Sequence, residues 1–230
     1  MSVSKYVSRA IGLLLLLQLV FGLILPYVLL LPVSTPAGAF LDSAAGMAGT
    51  LRLSVLMLFL GAAASLGIAV LLWPAVRETH PRLGLWLLAL AVMNFTLQLV
   101  ESAHWLTLLT ISEAHAAGGS DPATFQALGT GAHAAFRWAH YSHILVVVGW
   151  LFTLYLLLYR GSMVPRLIAA FGIGAALLHF IGIILPAFGG YRMANSDLYG
   201  APLGLVGLVL GMWLMTKGFA NEQTQRAVES

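Results

Sequence analysis

Residues 133–160 read HAAFRWAHYSHILVVVGWLFTLYLLLYR, and this stretch decides the fold. Its second half is an unbroken apolar run closed by Tyr159-Arg160. Its first half packs three histidines and an arginine into the mouth of that run. A hydrocarbon core about 30 Å thick takes about 20 apolar residues of helix, so the run is a membrane span. The polar groups at its mouth are costly there and need partners on neighbouring helices.

The rest of the chain agrees. Of the 230 residues, 60% are hydrophobic and 8% are charged. Soluble domains carry about 25% charged residues, so this chain cannot cover a water-facing surface. The formal charge of +3 is spread thinly, which excludes a nucleic-acid partner and leaves the lipid bilayer. There is no cysteine, which removes disulfides, thiolate metal sites, covalent haem attachment and cysteine nucleophiles.

Apolar length predicts an all-α polytopic bundle of about six spans, over residues 10–32, 51–73, 83–111, 132–159, 164–188 and 200–217, in a single membrane domain covering 1–230. The first run is about 23 residues, longer than the 7–15 of a secretory signal, and reads as an uncleaved helix. Lys5, Arg9, Arg77, Arg82, Arg160, Arg166, Lys217 and Arg226 fall on one side and Arg52 and Arg192 on the other. The positive-inside bias therefore predicts both termini in the cytoplasm, in a bacterial inner membrane. The inner turns, RETHPRLG (77–84) and RGSMVPRLI (160–168), both place Pro-Arg-Leu at a helix start, where proline's missing N–H is not needed. The connections 33–50, 112–131 and 189–199 are longer and rich in small residues.

Ionisable residues inside a bilayer mark functional sites by default. The third span carries Asn94, Gln98, Glu101 and His104, spaced four, three and three. The fourth carries His133, Arg137, His140 and His143 with the same spacing. The fifth carries His179. Counted from the outer helix ends at 1.5 Å per residue, His104, His140 and His179 share one level, about 10–14 Å deep. Glu101 and His143 fall about a turn deeper, at 3.6 residues per turn.

That shared level predicts a ligand site. His104, His140, His143 and His179 with Glu101 form an N/O donor set suited to zinc, copper or iron. His104 or His179 facing His140 meets the depth condition for a b-type haem, with Gly172 and Gly174 giving room for the ring. Glu101-Ser-Ala-His104 has the Glu-x-x-His spacing of di-iron bundles, but the second such motif is missing. Arg52 and Arg137 would screen the outer entrance or pair with an anionic group, and a small molecule would enter from that side. Two other readings stay open. The same groups can serve as a proton relay in a transporter or sensor. They can also hold helices together with no ligand at all, Glu101 pairing with Arg137 and Asn94 and Gln98 completing the network. His80, His115 and His133 read as solvated. No catalytic residue is identified, and nothing in the pattern specifies an oligomer.

Several stretches resemble bacterial multi-pass membrane proteins of the domain of unknown function 4386 family. They are SRAIGLLLLLQLVFGLILP (8–26), AGTLRLSVLM (48–57), LLWPAVRETHPRLGLWLLAL (71–90), LQLVES (97–102), LLLYRGSMVPRLIAAFGI (156–173) and PLGLVGLVLGMWLMTKGF (202–219). The resemblance implies six or seven membrane helices and no settled activity. It supplies no site residue. That family often has an acidic residue before the last helix, where this chain offers Asp197, and the dense histidines of the fourth span are not typical of it.

Overall fold

A computed structural model describes residues 5–21, 29, 37–118, 121–188 and 196–220, and all regular structure among them is helical. The helices are α1 (Lys5–Leu19), α2 (Ala37–Ser43), α3 (Ala48–Val76), α4 (Pro81–Ala116), α5 (Pro122–Arg160), α6 (Arg166–Phe188) and α7 (Ser196–Thr216), with a 3₁₀ turn at Ala45–Met47. Five of them are long and apolar enough to cross a membrane: α3 to α7. The expected first span, 10–32, is described as α1, and most of its second half lies outside the described residues.

Each of α3 to α7 packs on the next, and α1 packs on both α3 and α7, so six helices close into a ring. The seam between α1 and α7 is tight because Gly12 and Gly211 let the backbones meet; a Cβ on Gly12 would lie 2.9 Å from the Gly211 carbonyl oxygen. The start of α1 and the end of α7 therefore share one end of the bundle. The turn after α5 lies there too, since the Ala220 N–H donates to the Met163 carbonyl at 2.8 Å. This is the arginine end, with Arg77, Arg82, Arg160 and Arg166 at its turns. The short helix α2 sits at the far end, outside the ring, against α4 and α5.

Two helices are longer than apolar length predicts. α5 starts at Pro122, ten residues before the expected start at 132. Asp121 caps it, accepting from the Ala123 N–H at 3.1 Å and the Thr124 hydroxyl at 2.6 Å, with proline in the first turn. Those two bonds also hold the Asp121 carboxyl below its usual range. α4 ends at Ala116 through Gly118, whose φ of +84° suits only glycine well. The 36 and 39 residues of α4 and α5 span about 54 and 58 Å, well beyond a hydrocarbon core of about 30 Å. They overhang at the far end.

Exposed apolar side chains show where lipid ends. On α4 they run from Leu85 to Leu106, about 32 Å at 1.5 Å per residue. Trp105 packs on Phe136 with ring centres 4.4 Å apart, and Trp138 on Phe188, the last residue of α6, at 6.5 Å. The far boundary therefore passes near Leu106, Trp138 and Phe188. Trp138, half exposed at this level, is a belt residue; Trp105 is not, being buried against Phe40, Leu108 and Leu109. The larger core, with Trp150, Leu154 and Tyr155, fills the ring toward the arginine end.

Candidate functional site

Between these two apolar clusters lies a cavity of about 450 Å³, lined by residues from all six ring helices. Its polar wall comes from α4 and α5. Glu101 is 4% exposed and has an imidazole on each oxygen. His140 Nδ1 lies 2.9 Å from Oε1, and His143 Nδ1 lies 2.6 Å from Oε2. The spacing explains the fit. Residues three apart on a helix project from one side, so His140 and His143 reach the same carboxylate from adjacent turns.

The chain of hydrogen bonds continues across the ring. His143 Nε2 lies 2.7 Å from Asn94 Oδ1. The Asn94 amide donates to Ser65 Oγ on α3 at 2.9 Å, and Gln18 on α1 donates to the same oxygen at 2.8 Å. Four helices are thus joined through Gln18, Ser65, Asn94, His143, Glu101 and His140. Gln98 also lines the cavity and donates to Ser102 on its own helix at 3.3 Å. His179 lines the cavity from α6, beside Gly200 of α7, where a Cβ would stand 3.2 Å from its ring. The facing wall on α7 is mostly backbone and small residues, Gly200, Ala201, Gly204 and Gly207, with Leu203.

Several expectations need correction. His140, His104 and His179 do not share a level. Measured from the boundary at Leu106, Trp138 and Phe188, His104 and His140 lie about 3 Å deep and His179 about 14 Å, at 1.5 Å per residue. The earlier count started from helix ends that overhang the lipid. His104 is half-buried and does not line the cavity. The metal centre finds no support: among the described residues, no group of three or more His, Asp or Glu is placed to hold an ion. The physical reason is that Glu101 and His143 spend their donor atoms on each other and on their neighbours. The haem expectation fares no better, because the Tyr155 ring packs against Gly172, and Gly174 faces open space with nothing within 4 Å.

The arginines also have other duties. Arg52 pairs with Glu113 at 2.8 Å on an exposed surface, not with the cluster. Arg137 is exposed next to Trp138 and forms no ion pair among the described residues, so Glu101 is held by imidazoles and not by Arg137. His115 is not simply solvated: it lies 3.5 Å from Asp42 of α2. Of the residues singled out from the sequence, Asn94, Gln98, Glu101, His140 and His143 come together on one wall of the cavity. Sequence reasoning missed Gln18 and Ser65. Gln18 was visible as the lone polar residue in a leucine run; Ser65, one small hydroxyl among alanines, gave no signal.

A family model described as a domain of unknown function (DUF4386) matches residues 10–218. The chain belongs to that family. Searches of curated proteins and of solved structures find no match.

Proposed function

We propose that this member of the domain of unknown function 4386 family is a proton-coupled transporter or sensor. A small molecule occupies the central cavity, and one proton resides on the Glu101–His140–His143 relay. The observation that carries this reading is the buried Glu101 carboxylate bridging two imidazoles on a cavity wall. A carboxylate in a low-dielectric interior stays ionised only with compensating charge or donors. Imidazole is the side chain whose charge changes between about pH 5 and 8, which makes it the natural proton carrier.

The hydrogen-bond roles support a resident proton on His143. The amides of Gln18 and Asn94 both donate to Ser65 Oγ. Asn94 then presents its carbonyl oxygen to His143 Nε2, while Glu101 presents a carboxylate oxygen to Nδ1. Two acceptors call for a ring that donates at both nitrogens, the imidazolium. Balanced against Glu101, that proton leaves the wall neutral. The lysine and arginine bias supports a site in the outer half of a bacterial inner membrane, with the termini in the cytoplasm.

Infrared difference spectroscopy of the full chain in lipid nanodiscs, stepped between about pH 5 and 8, tests this. Coupled carboxylate and imidazole bands should appear and both should be altered in Glu101→Gln. Spectra that do not change with pH, or that change identically in the variant, would leave the network as structural glue.

A further inference from the structure

The charge inventory of the cavity walls says what kind of molecule fits. Among the described residues, the ionisable groups that line it are Glu101 on α4, His140, Tyr141 and His143 on α5, and His179 on α6. No described lining residue from α1, α3 or α7 is ionisable, and no lysine or arginine lines it from any helix. Arg137, one turn from His140, is exposed beyond the wall. The walls are therefore neutral with one proton on the imidazoles and carry one negative charge without it.

The neutral polar groups are mixed. Gln18 spends one amide N–H on Ser65 and Gln98 spends one on Ser102. Each keeps a second N–H and its carbonyl oxygen, so the neutral groups offer a ligand both a donor and an acceptor and the net acceptor bias comes from the Glu101 carboxylate. Asn94 also lines the cavity, with its amide on Ser65 and its carbonyl oxygen on His143, and the remaining lining is aliphatic or glycine. Small-molecule sites of about 300–1,000 Å³ are mostly apolar with a few convergent polar groups, and the 450 Å³ here falls in that range.

We propose that the cavity binds a protonated organic amine with an apolar body, in exchange for the proton on the Glu101–imidazole cluster. The reason is electrostatic. Two positive charges a few ångströms apart in a low-dielectric site repel strongly, and one positive charge beside Glu101 is balanced. When the ammonium enters, the imidazolium proton leaves to solution, so every state of the cavity stays neutral. This rests on the proton-relay reading above and adds the class of ligand.

The test is calorimetric binding to the full chain in nanodiscs, with 4-phenylbutylamine as the probe and 4-phenyl-1-butanol as its uncharged match. Buffers of different ionisation enthalpy count protons. The amine should bind once per chain, release close to one proton, and bind about tenfold more tightly for each unit rise in pH while the relay holds its proton. The alcohol should bind at least about tenfold more weakly, and Glu101→Gln should cost at least about tenfold in amine affinity. Glu101→Asp, which keeps the charge, should retain part of the affinity and serves as the folded control. Equal binding of amine and alcohol, or full amine affinity in Glu101→Gln, overturns the amine proposal. The two readings fail separately. Glu101-dependent amine binding without proton release keeps the ligand class and removes the coupling. A titrating relay with no amine binding keeps the coupling and removes the ligand class.

Discussion

Replacing Asn94 by alanine isolates the central link of the polar chain. Asn94 is 2% exposed and joins His143 at 2.7 Å to Ser65 at 2.9 Å, so it connects α5 to α3 through α4. Its removal strands the buried Nε2 of His143 and takes one of two donors from Ser65. Interhelical hydrogen bonds in membranes are worth about 0.6 kcal/mol on average and up to about 1.7. A buried group left unsatisfied costs about 1–3 kcal/mol. Asn94→Ala should therefore lose about 1–3 kcal/mol, against almost nothing for Thr96→Ala, whose exposed hydroxyl only bonds back to Val92. Unfolding by dodecyl sulfate in mixed micelles, followed by the fluorescence of the six tryptophans, measures both. Adding His143→Ala completes a double-mutant cycle. The coupling between positions 94 and 143 should be about 0.6–1.7 kcal/mol. If the two substitutions add to within about 0.3 kcal/mol, they are independent and the chain of bonds is not formed in the folded protein.

Two other substitutions test the packing. Gly172→Ala should lower the melting temperature through about 1–3 kcal/mol of overpacking, because the new Cβ collides with the Tyr155 ring. Gly174→Ala, two residues on with nothing within 4 Å, should be neutral or slightly stabilising in the same thermal melt. Ser112 donates to the Leu41 carbonyl at 2.6 Å and accepts from the Ala45 N–H at 2.9 Å. A seven-residue helix is too short to persist alone, so Ser112→Ala should speed amide exchange across α2. Arg52→Ala, which removes only an exposed ion pair, should not.

Much of this was legible in the sequence, and the failures share a cause. The apolar runs gave the spans of α3 to α7 because length and composition are local properties. Asn94, Gln98 and Glu101 announced one wall because spacings of four and three define a helix face. What a run cannot give is where lipid stops along a helix that continues. Pro122 to Gly131 contains proline, threonine, glutamine and glycine and reads as a connection by hydropathy. It is helical because Asp121-Pro122 is a strong start, which hydropathy does not register. The shared level of His104, His140 and His179 is counted from expected ends at 111 and 132, inside helices that run on to Ala116 and back to Pro122. The expected Glu101–Arg137 pair failed for an angular reason. At 100° per residue, Arg137 sits about 120° from His143, off the face that meets α4. Gln18 and Ser65 depend on which helices touch, and no local pattern in either helix encodes that.

The relay is covered unequally toward its two ends, which bears on how a proton or an amine would reach it. Toward the far end the cover is thin. Phe40 of α2, Trp105 and Phe136 form a column with ring centres 6.0 and 4.4 Å apart, and Phe136 stacks on His140 at 5.9 Å. Toward the arginine end, 17 residues separate His143 from Arg160, about 26 Å of α5 flanked by buried Trp150, Leu154, Tyr155 and Leu158. The His140 side chain is already 37% exposed, so sensing under the proposed exchange needs no large movement at that end. Transport needs the thick cover at the arginine end to open as well. The seam where backbones meet through Gly12 and Gly211 is interlocked as well, because the Leu16 side chain seats on Gly211 and Leu214 on Gly12, with Ile11, Leu15 and Leu210 buried in the same core. A sensor therefore requires only local access at the far end, whereas a transporter requires this interlocked core at the arginine end to open.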